Sequence, residues 1–175
     1  MPAPDPARFA ASLPPDQAGF VALLGGVFEH SPWVAEQAWA ARPFASPGAL
    51  HAAMVAAVEA AGEDAQLALL RAHPELARPG PLTAASRGEQ GGMGLDALDA
   101  DEAARFTAAN QLYRERFGFP FIIAVRGQRD RSVILRAMEE RLRSAPESER
   151  RRALAEVAQI ARFRLHDLLR EDALG

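Results

Sequence analysis

The stretch FGFPFIIAVRG, residues 117–127, decides how the chain is read. From Phe119 to Val125 it is almost wholly apolar, interrupted early by Pro120. A short apolar run of this kind is either a buried strand or some other buried segment. A strand needs a partner, and no second run of that type occurs elsewhere in the sequence. The stretch is therefore expected as an extended apolar segment buried inside a helical fold.

Working outward, the rest of the chain carries helix punctuation. Upstream, Asp99 and Glu102 have the spacing of a capping box. Phe106, Ala109, Leu112 and Tyr113 follow as an apolar stripe, and Gly118 closes that helix. Downstream, two amphipathic helices are expected over about residues 130–144 and 147–171. Near the N-terminus, Phe20, Leu23, Leu24 and Val27 recur at helical spacing. Ser31-Pro32 and Ser46-Pro47 each read as a cap followed by a first helical residue. The first of these helices stops before Arg42-Pro43 and the second ends at Gly62. A short helix over 63–72 leads into His73-Pro74. Residues 74–97 are crowded with Pro and Gly but keep the apolar anchors Leu76, Leu82, Met93 and Leu95, with a short helix expected around Ser86–Gln90. The sum is an all-α single domain over residues 1–175, with seven or eight helices and one buried extended apolar segment. Residues 1–14 are expected as a flexible proline-rich lead.

Composition removes several functions. The chain has 175 residues, 49% of them hydrophobic and 25% charged, which is ordinary for a globular domain with a real core. Cysteine is absent, so a disulfide framework, a thiolate nucleophile and a cysteine-ligated zinc site are excluded. No apolar run approaches the roughly 20 residues of a membrane helix. The proline-rich start has no apolar core of a secretory signal. A cytoplasmic protein without a membrane partner is expected. The net charge of −3 gives no pull toward nucleic acid. All the positive charge is arginine. The mixed-sign stretch RAMEERLRSAPESERRR, residues 136–152, reads as solvated helix faces with i,i+4 pairs. Aromatic platforms for nucleic acid are not interleaved with it.

Three residues stand out as candidates for chemistry. His73 precedes a proline, which turns it out of the helical conformation. It is either a helix-end histidine bonded to a carbonyl or an acid/base group, the side chain that titrates nearest neutrality. The other histidines, His30, His51 and His166, form no H-x-x-x-H pair with it or with each other, so no metal site is expected. Glu89 lies in SRGEQGGMG, flanked by Gly88 and by Gln90. It either closes a capping box begun at Ser86 or faces a ligand beside the helix's free amides. Arg126 ends the apolar segment and must find an anion, from the protein or from a substrate.

Taken in order, GGVFEHSPWVAEQAW, HPELA, SRGEQGGMGL and NQLYRERFGFPFIIAVRG resemble the signature segments of the OHCU decarboxylase family. Enzymes of that family act on 2-oxo-4-hydroxy-4-carboxy-5-ureidoimidazoline in urate degradation. The similarity covers about residues 15–170. It implies an all-α fold, a homodimer, a small-molecule ureidoimidazoline substrate, and no metal or organic cofactor. It also implies that His73 is the catalytic histidine, with Pro74 lining the pocket beside it. Ser86, Arg87, Gly88, Glu89 and Gln90 match the segment that contacts substrate, with Glu89 sharing the catalytic role. Phe121, Ile122, Ile123, Ala124 and Val125 match the run bordering the ligand, with Arg126 beside it. Met93 and Ala124 depart from the residues common in the family, alanine and cysteine; neither departure removes an essential polar group, and both leave the pocket's shape open. Two other readings remain open on sequence: an inactive helical binding domain, and a hydrolase acting on a related ureido compound. Release of CO2 separates the first from an enzyme. Release of ammonia or a cleaved ureide identifies the second.

Overall fold

The computed structural model describes residues 5–78 and 80–172. These residues hold nine α-helices and two 3-10 turns, and no strand is formed among them. They group into two compact units, residues 5–72 with 161–172, and residues 73–160.

The first unit contains α1 (Pro6–Ser12), α2 (Gln17–Leu24), α3 (Trp33–Ala38), a 3-10 turn (Trp39–Ala41), α4 (Pro47–Ala60) and α5 (Glu63–Arg71). Residues 6–12, expected within a flexible lead, form α1 instead. The Asp5 carboxylate accepts from the Ala7 amide and Pro6 sits in the first turn, the same cap-plus-proline start that opens α4. That helix takes the count above the seven or eight expected; residues 1–4 of the lead lie outside the described residues. Ser46 caps α4 as expected, accepting from the Ala49 amide at 3.1 Å. Ser31 does not cap α3. Its hydroxyl donates to the Glu29 carbonyl at 2.9 Å, and the helix starts after Pro32. The core gathers Phe20, Leu24, Val34, Leu50, Met54, Leu69 and Leu70, all fully enclosed. A buried ion pair, Arg164 Nη1 to Glu29 Oε2 at 2.7 Å, crosses it.

The second unit begins with an irregular loop from His73 and continues through α6 (Ala84–Gly92), α7 (Ala100–Phe117), a 3-10 turn (Val125–Gly127) and α8 (Arg131–Arg141). It closes with the first part of α9 (Pro146–Asp172). The Asp99–Glu102 capping box is present at the start of α7. The Glu102 amide holds the Asp99 carboxyl below its usual range. Gly118 ends the helix at φ 76°, a left-handed conformation that costs glycine little. The buried stripe of α7 differs from the expected one by a residue: Phe106, Ala109, Asn110 and Tyr113 face inward, while Leu112 is 55% exposed. Consecutive helical residues point about 100° apart, so Leu112 and Tyr113 cannot share one narrow face.

Residues 119–124 run buried outside any helix and enter no sheet, as expected, and Val125 opens the 3-10 turn that follows. Backbone groups buried without a sheet need other partners. Arg141 Nη1 donates to the Ile122 carbonyl at 2.8 Å. Glu156 Oε2 accepts from the Ala124 amide at 2.9 Å, and Gln128 Nε2 donates to the Ala124 carbonyl at 3.2 Å. The Arg141 guanidinium also lies over the Phe121 ring at 4.4 Å and pairs with Glu149, which is 1% exposed. Tyr113 donates its phenol to the same carboxylate and packs edge-on to Phe121, ring centres 5.4 Å apart. The stretch 136–152 is thus only partly a solvated charged face. Arg151 and Glu147 form the expected exposed i,i+4 pair, whereas Arg141 and Glu149 turn inward to serve the extended segment.

The buried phenol gives a direct test of this packing. Burial, reinforced by the hydrogen bond to Glu149, raises the Tyr113 pKa well above its ordinary value. A phenol raised in the folded state contributes stability that is complete below the unfolded pKa of about 10 and is lost as pH rises beyond it. The chain has one tyrosine and no cysteine, and its sequence contains no lysine, so no other side chain titrates in that range. Phenolate absorbance is expected to stay absent above pH ~10 and to appear together with loss of helical ellipticity. Phenolate forming near pH ~10 in a fully helical protein would show Tyr113 open to solvent.

Candidate functional site

Every residue singled out for chemistry lies in the second unit. The loop carrying His73 leaves the end of α5, where the Ala72 amide still bonds back to the Ala68 and Leu69 carbonyls. Pro74 then bars further helix. His73 is 8% exposed, with Nε2 shut off from solvent, and Pro74 is half-buried beside it. The loop is tied down within a few residues. Glu75 pairs with Arg78 at 2.9 Å and with Arg114 on α7. The Leu76 carbonyl accepts from Asn110 Nδ2 at 2.8 Å. Ala77, at φ 58°, donates its amide to Gln90 Oε1 at 3.0 Å.

That last bond joins the loop to α6, whose faces are distinct. Thr83 caps it, accepting from the Ser86 amide at 3.2 Å, so the cap lies three residues before the one expected at Ser86. Ser86 is instead a buried first-turn residue. Ser86, Glu89 and Gln90 follow i, i+3, i+4 spacing and share one face. Ser86 and Gln90 are buried and Glu89 is half-buried. Arg87 and Gly88 fall on the solvent side, and Arg87 donates to the Leu82 carbonyl at 3.4 Å. The structure therefore brings together the loop and the Ser86–Glu89–Gln90 face, but leaves the two intervening residues exposed. Gln90, expected to contact a ligand, has its Oε1 occupied in holding Ala77.

α6 packs against the 3-10 turn at Val125–Gly127, which carries Arg126 at the exposed end of the apolar segment. Phe121, Ile122, Ile123, Ala124 and Val125 are all buried. Stretches far apart in sequence thus come together on α6 within one unit: the loop that follows His73 bonds to it at Gln90, and the 3-10 turn that ends the apolar segment packs against it, while the helix itself bears a carboxylate, a hydroxyl and an amide on one face. Such a set can bind a small polar ring, move protons and keep water out. Among the described residues no cluster of His, Asp and Glu has the makings of a metal site. A separate cavity of about 440 Å³ opens beside Ala77, Leu82, Leu95 and Asp96. It touches Gln90 and Arg87 but neither His73 nor Glu89, so it is not where the proton chemistry would take place.

Asn110, Arg114 and Glu75 were not legible as site-supporting residues. Their side chains look like ordinary helix and loop polars until the loop they hold is placed.

The sequence profile of OHCU decarboxylase matches residues 14–166. The chain belongs to the OHCU decarboxylase family. It is 46% identical over 150 residues to the 2-oxo-4-hydroxy-4-carboxy-5-ureidoimidazoline decarboxylase of Haloferax volcanii, covering 86% of this chain and 89% of that protein. The mouse protein of the same name is 42% identical over 154 residues, covering 86% of each. Among solved structures, the fold is similar to that of an (S)-allantoin synthase, with a TM-score of 0.71 and 34% identity. That likeness covers 92% of this chain and 53% of the other, so the chain spans about half of that protein's length. An OHCU decarboxylase crystallised in the presence of (S)-allantoin, 22% identical with a TM-score of 0.64, shares the fold. Other members of the family are thus named for a reaction that suits the loop, helix face and apolar wall described above. None of the described helices is long and apolar enough to cross a membrane.

Proposed function

We propose that this protein decarboxylates 2-oxo-4-hydroxy-4-carboxy-5-ureidoimidazoline, giving (S)-allantoin in urate degradation. The observation that carries this reading is the 46% identity, along nearly the whole of both chains, to a protein named for that reaction. The site's residue types agree with the chemistry.

The substrate is a small, polar ring with a hydroxyl and a carboxylate on C4 and an imine at C5. The C4–carboxylate bond breaks and CO2 leaves. Its electron pair moves into the imine, whose nitrogen takes a proton; the C4 hydroxyl then gives up its proton and becomes a carbonyl as C5 takes a proton on one face. The electron sink is inside the substrate, so the reading calls for no organic cofactor. The protein's work is to orient, desolvate and move protons.

His73 takes the acid/base role at the C4 hydroxyl. The reading is supported by its place in a largely closed loop pinned at Glu75, Leu76 and Ala77, since an acid/base group works best when held in one position. Glu89 accepts from the hydroxyl or from ring and ureido N–H groups. Ser86 and the remaining donor capacity of Gln90 read the ring amides. Phe121, Ile122 and Ile123 take water away from the carboxylate, whose charge is lost as CO2 departs. Arg126 does not clamp that carboxylate, because such a salt bridge would stabilise the ground state more than the transition state. It supports the turn or holds another substrate oxygen. A homodimer in the cytoplasm completes the proposal.

The test is to generate substrate freshly from urate and follow CO2 and the handedness of allantoin with and without the protein. Faster CO2 release with (S)-allantoin as the product is expected. Racemic allantoin at the spontaneous rate would contradict the reading, and ammonia or a cleaved ureide would point to hydrolysis.

A further inference from the structure

We propose that one face of α7, carrying Asn110, Tyr113 and Arg114, is a positioning device for the His73 loop, with Asn110 as its central residue. This rests on the acid/base role given to His73 above. Positions 110, 113 and 114 follow i, i+3, i+4 spacing and point the same way from the helix. Arg114 pairs with Glu75, two residues beyond His73. Asn110 Nδ2 donates to the Leu76 carbonyl at 2.8 Å. Tyr113 stands edge-on to Phe121 in the apolar wall. One rigid helix therefore contacts both the imidazole loop and the wall it would have to face.

Asn110 carries the argument furthest. It is 5% exposed, and its Oδ1 is buried with no hydrogen-bond partner among the described residues. An unpaired buried acceptor costs about 1–3 kcal/mol. A leucine, which has the same branched shape though a larger volume, would remove that acceptor, although it would leave the buried Leu76 carbonyl without its donor. One unpaired acceptor is exchanged for another, so stability alone gives no reason for an amide here. What the amide adds is a fixed distance between α7 and the loop three residues after His73. The next residue, Ala77, is held by Gln90 of α6 in a left-handed conformation that alanine rarely adopts. With bonds from α6 and α7 to consecutive residues, the loop has little freedom left to move the imidazole.

Two variants test this. Asn110→Leu is expected to keep its melting temperature within a few degrees of the unaltered protein. Its kcat is expected to fall about 10- to 100-fold, the scale of a displacement near 1 Å in a proton-transfer group. Asn110→Asp can donate to the Leu76 carbonyl only while its carboxyl is protonated. Its kcat should therefore decline as pH rises, along a limb that the unaltered protein lacks. The imidazole resonances of His73, assigned by their loss in His73→Asn, are expected to shift in Asn110→Leu. The proposal is overturned if those resonances stay in place, or if the folded leucine variant turns over at the original kcat. The resonance measurement needs no substrate, so it decides the positioning role even if the protein failed to decarboxylate at all; that failure would instead remove the proposed function.

Discussion

Replacing His73 with asparagine is expected to slow formation of (S)-allantoin by about 10²- to 10⁴-fold, the usual contribution of a positioned acid/base group. Asparagine is polar and smaller than histidine, so the loop can still close over it. The bonds that hold the loop come from Gln90, Asn110 and Arg114, none of which touches the imidazole through the interactions described. The fold should therefore survive, and helical ellipticity with a cooperative melt would establish that it does. What asparagine lacks is a group that can take and return a proton near neutral pH. The loss should appear in kcat more than in KM, because the proton moves in the transition state. A folded His73→Asn protein with an unchanged rate would assign the proton transfer to another group.

Replacing Arg141 with methionine is expected to cost about 3–5 kcal/mol of unfolding free energy, the penalty for leaving one member of a buried ion pair behind. Three connections go at once. Glu149, 1% exposed, loses its counter-charge. The Ile122 carbonyl loses its donor, and the Phe121 ring loses the cation above it. A typical domain has only about 5–15 kcal/mol in total, so the variant should melt far lower and unfold at much less urea. Arg151→Met provides the comparison. Its pair with Glu147 is exposed on both sides and should matter little. Equal, small effects from the two replacements would mean that the extended segment does not depend on α8 for its backbone bonds. Because that segment is proposed as the apolar wall of the site, Arg141→Met should also lose activity at temperatures where part of it remains folded.

These two residues also mark what a sequence can and cannot tell. His73 stands out in the sequence because proline after it forces a break, and because the HPELA, S-x-x-E-Q and FGFPFII segments occur in family order; its acid/base role is part of the proposal. The extended segment was legible from a negative: an apolar run with no partner strand. Arg141, Glu149 and Glu156 were not, since charges in a mixed-sign helical stretch look solvated. Their burial follows only when the backbone of residues 119–125 is asked where its hydrogen bonds go. Sequence does not fix the start of α6, because Thr83 and Ser86 are both good caps, and Thr83 takes the cap in the structure. α1 was missed although Asp5-Pro6 has the same form as Ser46-Pro47, because the surrounding prolines read as a lead. Leu112 was counted in a buried stripe that Asn110 completes instead, and a buried polar residue on an apolar face is a signal worth following.

The most direct test of the account is a crystal structure of this protein with (S)-allantoin bound. The account predicts the product ring against the wall of Phe121, Ile122 and Ile123, with the His73 imidazole and the Glu89 carboxylate both within hydrogen-bonding distance of it. Product lodged in the cavity beside Leu82 and Asp96, or bound out of reach of either His73 or Glu89, would contradict it.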